Sequence, residues 1–415
     1  MFINKRTTIF IFTYLIICLT SLFAICASFP VKVYGEGTIE EDQTIIEGQI
    51  TEDQIIEEQA GTEDVKSIED KLKTNMDEDF KEILPGYDPK NLIKDAAKGD
   101  FKFDMSGIFN RVLMFLFKEI YENIDLLIKL VVLVIICAIL KNLQSSFMSK
   151  SVGELAFYVC YIVMVSVLMV SFNSALKAGM EIIDAMVNFM YASIPVLITL
   201  LISGGNITSG GAMQPVLIMI VQFTATIIKN VFIPIIVLST ILSIVDNVSE
   251  KVQVARLAAF LKHITTWGLG FILTIFVAVV SIQGSLGAVV DGVTSKTTKF
   301  AISAFIPVAG KYLADAADAV IGCTLLIKNG VGVAIMIGII SISLIPILKM
   351  LAIIVMYRLV CVLLEPIAEG RILRCIGEVA GSMTYILGIV ASVTFMFLIT
   401  VTALITASNL SAMMR

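Results

Sequence analysis

Histidine is almost missing from this chain: His263 is its single copy among 415 residues, and Trp267 is its single tryptophan. One imidazole excludes multi-histidine metal sites and leaves an intramembrane nucleophile without an obvious base. Its place beside Lys262 and just before Trp267 reads as a membrane-surface position. The seven cysteines contain no CxxC pair. Cys18 and Cys26 fall in an N-terminal apolar stretch. Cys137, Cys160, Cys323, Cys361 and Cys375 are scattered through apolar runs and read as small buried hydrophobes, not as a zinc site or a disulfide framework. No Walker-type loop with its following lysine is present, so any ATP use would belong to another protein. Charge is scarce as well, at 16% Asp, Glu, Lys and Arg.

What fills the chain instead is apolar. Hydrophobic residues make up 57% and mean hydropathy is +0.93, against about 45–50% apolar in soluble domains. Too little polar surface remains to cover such a chain in water. Lipid is the simplest solvent for it.

Charge is also unevenly placed. Residues 1–123 carry 13 basic and 23 acidic residues, a net of -10, whereas residues 124–415 carry 17 and 12, a net of +5. An acidic, hydrophilic front therefore precedes a mildly basic, hydrophobic body. Phosphate contacts need clustered Lys and Arg, so the acidic front argues against nucleic-acid binding.

At the N-terminus, Asn4-Lys5-Arg6 followed by Ile9 to Ala27 has the charged and apolar regions of a secretory signal, with cleavage after Ala27 or a few residues later. A retained anchor is the alternative, because the apolar run is long. Residues 36–64 hold eleven acids and no base. Within them Glu41-Asp42-Gln43 recurs as Glu52-Asp53-Gln54. A tract of this composition cannot offset its ordering entropy and reads as disordered, a solvated charge run in preference to a calcium site. Pro85-Gly86 and Asp88-Pro89 break residues 65–123 into short helices. Phe101, Phe103, Ile108, Val112, Phe115 and Leu116 mark an amphipathic segment lying on the membrane.

The body divides into windows near 124–141, 152–176, 182–202, 212–228, 231–245, 264–282, 330–348, 350–368 and 383–407, each measured against the ~20 residues that cross a bilayer. Lys229-Asn230 interrupts one long apolar stretch, which is either two short crossings or one tilted helix. The expected count is seven to nine. Cytoplasmic loops gather Lys and Arg, which puts Lys141, Lys150, Lys251, Arg256 and Lys262 inside and the N-terminal segment outside. The same scheme ends the chain in the cytoplasm and leaves Arg371 and Arg374 on the wrong side.

Ionisable residues at membrane depth are functional candidates by default. Lys311, Asp315 and Asp318 share a helical face by their spacing, on a segment rich in small side chains. That face lines a polar cavity or an inter-subunit seam, or it belongs to an interfacial helix turned to water. Arg358 and Glu365, seven apart, read as an ion pair or polar seam, with an ion relay as the rival. Asp291, Lys296 and Lys299 complete the candidate set for assembly or a polar path. The Ser203-Gly204-Gly205 and Ser209-Gly210-Gly211 pair is a flexible turn or, alternatively, an anion cradle of backbone N–H groups.

The stretch 281–329 resembles the stage III sporulation protein AE family. The resemblance rests on Ser281-Ile-Gln-Gly284, Asp291-Gly292, Thr298-Lys-Phe300, Ile306-Pro307 and Leu325-Leu-Ile-Lys-Asn329. Leu238-Ser-Thr-Ile-Leu-Ser-Ile-Val245 and the ending Asn409-Leu-Ser-Ala-Met-Met-Arg415 extend it over about residues 105–415. It implies a protein of endospore-forming bacteria, in the mother-cell membrane that faces the engulfed forespore. There it would belong to a channel or secretion-like complex that supports late forespore transcription, with other products of its operon and a forespore-side partner. It implies no catalytic residue and no cofactor.

The expected fold is therefore all-α: a polytopic helical membrane protein with a signal peptide (1–27), an acidic, partly disordered exterior segment (28–64), extracytoplasmic short helices with an amphipathic segment (65–123) and a multi-pass domain (124–415). A membrane platform or conduit subunit, homo-oligomeric and without enzyme activity, is the expected role. The rival is a secondary transporter with a midplane site at helices broken by Pro195, Pro234 and the glycine-rich turn.

Overall fold

Continuous apolar runs with few breakers make long helices in preference to short ones, and that is what the computed structural model shows. It describes residues 63–75, 78–85, 93, 105–144, 150–248, 253–305 and 310–413, and every element among them is helical. The signal and most of the acidic tract lie outside the described residues.

Two short polar helices come first, α1 (Glu63–Asn75) and α2 (Glu78–Ile83). They are followed by α3 (Met105–Glu122) and α4 (Ile124–Gln144), which meet at a 49° bend. Then come α5 (Lys150–Ser203), α6 (Ile207–Ile227), α7 (Ile233–Val248), α8 (Ala255–Phe305), α9 (Gly310–Leu364) and α10 (Gly370–Met413). A π-helical turn, Ile228–Phe232, joins α6 to α7 without a break.

The expected seven to nine crossings are corrected by this continuity. Among the described residues five helical units are long and apolar enough to span a membrane, or six if the bent α3–α4 pair is one span. Windows 152–176 and 182–202 fuse into α5, and 330–348 and 350–368 fuse into α9. Windows 212–228 and 231–245 join through the π turn. Pro195 and Pro346 lie inside helices, where packed neighbours tolerate the lost N–H. Pro234 follows the widened π turn, a geometry that accommodates a missing donor.

Lys229 carries no loop after all. Its ammonium reaches across to Asp184 of α5 at 2.5 Å, so the charge that reads as a turn is neutralised by a neighbouring helix.

α9 and α10 pack together at the centre, against α5 and α8, while α4, α6 and α7 flank them. Between α9 and α10 the core is dense: Ile335, Ile339, Tyr357, Val379, Val390 and Phe397 are buried. Close approach is set by small residues, as expected where packing and not the hydrophobic effect drives association. A Cβ on Gly332 would stand 2.5 Å from Ile405 of α10. Many buried hydroxyls bond within their own helices, Thr384 to Ala380 O and Thr400 to Met396 O among them, which satisfies those groups without water. The body cysteines are free thiols, and those of Cys137 and Cys160 meet across the α4–α5 seam at 2.7 Å.

Candidate functional site

The Gly-rich turn between α5 and α6 is fully specified. Gly205 takes φ 80°, a left-handed value that glycine adopts without cost. Asn206 N–H donates to Leu201 O and Gly205 N–H to Ile202 O, the double closure of a Schellman end. The N–H groups of Thr208 and Ser209 that open α6 then need an acceptor, and Asn206 supplies none to them.

Asp291 of α8 supplies it. Its two carboxylate oxygens accept from Thr208 and Ser209 N–H, each at 2.9 Å, and the residue is only 2% exposed. Gly287, one turn earlier, lets Ser209 come close: a Cβ there would lie 2.4 Å from its Oγ. The anion that the turn was read as able to cradle is thus the protein's own. Asp246 of α7 does the same for α8, accepting from Val254 and Ala255 N–H at 2.8 and 2.9 Å.

A second buried polar contact joins α9 to α10. Lys328 is fully buried and donates to Leu404 O and Ile405 O at 3.3 and 3.1 Å. Sequence reading met this lysine only inside the family-like string 325–329. A single base in an apolar run marks the end of a span as readily as an internal tie.

The remaining candidates are described only in part. Lys296 is exposed on α8. Lys299 lies in α8, and Lys311, Asp315 and Asp318 lie in the first turns of α9; the side chains of these four are outside the described residues. Arg358 is half-buried in α9, but Glu365 sits exposed in the turn beyond Leu364. Among the described residues no ion pair joins these two, so the shared helical face does not extend to Glu365.

A cluster that sequence reading missed lies where α7, α8 and α10 meet. Lys262 donates to Glu378 at 2.6 Å, and Ser243 Oγ donates to the same oxygen at 3.3 Å. Glu369 receives Lys141 and Arg371, each at 3.8 Å. Because these pairs cross between helix ends, the C-terminal ends of α4, α7 and α9 lie at one end of the bundle. Arg371 and Arg374 therefore join Lys141, Arg256 and Lys262 instead of opposing them. α10 leads away from this basic end.

Two open surface grooves accompany these contacts. One, between α8 and α10, is lined by Ser281, Gly284, Ser285, Thr402, Ala403 and Thr406. The other, between α5 and α6, is lined by Tyr191, Pro215, Met219, Gln222 and Phe223, and Tyr191 bonds Gln222 across it. Among the described residues no group of three or more His, Cys, Asp or Glu is placed to hold a metal.

The family model described as stage III sporulation protein AE matches residues 87–408. The stage III sporulation protein AE of Bacillus subtilis (strain 168) is 36% identical over 326 residues, covering 79% of this chain and 82% of that protein. No solved structure matches. The resemblance seen in the motifs between residues 281 and 329 thus extends over most of the chain, which belongs to the stage III sporulation protein AE family.

Proposed function

We propose that this protein is a membrane platform or conduit subunit of the channel, or secretion-like complex, between mother cell and forespore, acting without enzyme activity or cofactor. Family membership supports a role in sporulation, and the apolar helices support a multi-pass membrane location. The observation that carries the platform reading is the filled centre of the bundle, where α9 and α10 bury their shared face in aliphatic and aromatic side chains. A polar path would then run between copies or through a partner, not through one chain. The α8–α10 groove, with its small residues, is a surface on which helices pack closely. The transporter reading finds no such support: Pro195 lies inside an unbroken helix, the helical unit containing Pro234 runs on through the π turn, and the glycine-rich turn is closed by Asp291.

In this reading the basic end faces the mother-cell cytoplasm and the acidic N-terminal segment lies outside it. Lys311, Asp315 and Asp318 form the assembly face, with other subunits of the complex and a second copy of the chain as its partners. The test is crosslinking and purification from sporulating cells of the wild type and of a Lys311→Ala/Asp315→Ala/Asp318→Ala variant. A large membrane complex that the variant weakens, together with failed late forespore gene expression, is the expected result. A lone monomer and normal sporulation of the variant overturn the assembly face.

A further inference from the structure

The long helices do not fit a bilayer. The spanning candidates run 38 to 49 residues, about 57–73 Å at 1.5 Å per residue, against a hydrocarbon core of ~30 Å. Tilt cannot absorb a twofold excess in a bundle whose flanking helix α4 has only 21 residues, about 31 Å. Roughly half of each long helix must lie elsewhere.

Three independent features mark where the bilayer stops. The first is α1. Its sequence, EDVKSIEDKLKTN, turns Glu63, Lys66, Asp70, Lys71 and Lys73 outward while Ile68 and Leu72 dock on α5 and α9. Leu72 and Phe189 both press on Gly338, where a Cβ would meet them at 2.4 and 2.7 Å. A helix with that many outward charges is not solvated by lipid. Gly338 stands 26 residues before the end of α9 at Leu364, about 39 Å from the basic end.

The second is a belt of ion pairs at mid-length. Lys349 of α9 meets Asp79 at 2.9 Å and Glu119 at 3.8 Å. Lys229 meets Asp184 at 2.5 Å, and Lys118 meets Glu82 at 3.1 Å. Lys349 lies about 22 Å and Lys229 about 28 Å from the ends of their helices on the basic side, the depth of one bilayer core.

The third is α3, which has two apolar faces. Ile108, Val112 and Phe115, part of the stripe read from sequence as lying on the membrane, turn inward against the bundle, while Phe101 and Phe103 lie outside the described residues. A different row turns outward: Phe109 (64% exposed), Met114 (68%), Phe117 (68%) and Tyr121 (75%). This row sits beside the belt and runs on into the outward Ile124, Ile128 and Val132 of α4.

We propose that the bilayer occupies only the tier between the basic helix ends and the charged belt, that α3 lies in the headgroup boundary with its outer row among acyl chains, and that the remaining halves of α5, α8, α9 and α10, with all of α6, stand outside the membrane as a helical stem. Below the belt large apolar side chains face outward, Val159, Ile162 and Val163 on α5 and Phe260, Trp267 and Phe271 on α8, with Ser166, Asn173, Ser174 and Thr274 set among them. Above it, outward positions include Asn188, Thr199, Gln222 and Thr226, and the apolar row of α8 is interleaved with Ser285, Lys296 and Thr297. The inference is independent of what the complex conducts.

The experiment uses the full chain in vesicles of phosphatidylethanolamine and phosphatidylglycerol, with every native cysteine replaced and a water-soluble maleimide on both faces. Single cysteines at Asn188, Thr199 and Gln222 are expected to label at least about ten-fold faster than cysteines at Ile136, Val163 and Leu238, since thiolate forms only where water reaches. Labelling in SDS sets the full reactivity of each site, and unchanged Trp267 emission shows that each variant has folded. The single tryptophan, 78% exposed on α8 within the lower tier, is expected to be quenched by brominated acyl chains and spared by aqueous iodide. Upper sites as unreactive as lower ones, or a Trp267 quenched by iodide and not by bromolipid, overturn the proposal.

Discussion

Lys262 and Glu378, 116 residues apart in the chain, meet at 2.6 Å between α8 and α10, with Ser243 of α7 on the same carboxylate oxygen. One carboxylate thereby joins three helices near the basic end. The lysine side chain is 11% exposed and the glutamate 31%, so the pair stands between the surface and buried regimes.

Removing one partner of this pair leaves the other charge largely desolvated. Glu378→Leu is expected to destabilise the protein by about 1–3 kcal/mol, between the ranges for exposed and for buried pairs. The double variant Lys262→Met/Glu378→Leu should recover most of that loss. Thermal unfolding of the four members of the cycle in detergent measures the coupling. Additive losses would mean that the pair contributes nothing of its own.

Asp291 closes the start of α6 from another helix. Asp291→Ala strands the N–H groups of Thr208 and Ser209 and is expected to cost about 1–2 kcal/mol, the worth of a lost cap. Asp291→Asn keeps one carbonyl acceptor and should cost less. Hydrogen exchange at residues 207–211 should accelerate in the order Ala, Asn, wild type. Equal protection in all three would show that the cap is dispensable.

Lys328 places its amine among backbone carbonyls and aliphatic side chains. Leu404 and Ile405 lie in the interior of α10, so their carbonyls keep helical partners if the amine is removed. Lys328→Met is therefore expected to hold the thermal midpoint or raise it, by between 0 and about 4 kcal/mol of stability. Lys328→Ala opens a cavity and should lose about 2–5 kcal/mol. A methionine variant as unstable as the alanine one would show that the amine itself holds α9 to α10.

Gly338 receives α1. Gly338→Ala forces its new methyl against Leu72 and Phe189 and is expected to cost about 1–3 kcal/mol as overpacking. Leu72→Ala in the same chain should relieve part of it. Limited proteolysis within residues 63–75 reads the outcome: faster cleavage in Gly338→Ala, slowed again in the double variant. Unchanged cleavage would place α1 off this surface.

Much of this was legible before any coordinates. Composition alone demanded lipid, and unbroken apolar runs demanded helices; each depends on residue type and local order, which a chain carries in one dimension. The family strings between residues 281 and 329 were legible for the same reason. Arg371 and Arg374 show where local reading fails. They broke the positive-inside pattern only because the windows were counted as separate crossings, and one such break, Lys229-Asn230, is a charge whose cost depends on a neighbouring helix.

Sequence by itself determined that this protein is helical, apolar enough in its helices to cross a membrane, and of this sporulation family, because hydropathy and motif are properties of consecutive residues. Tertiary structure alone decided which windows fuse, since whether a lysine ends a helix depends on whether Asp184 stands opposite it. It also decided that Asp291 caps α6, that Glu378 gathers three helices, and that α3 turns part of its expected stripe inward. Each of these is a meeting of groups far apart in the chain, and no local pattern encodes such a distance.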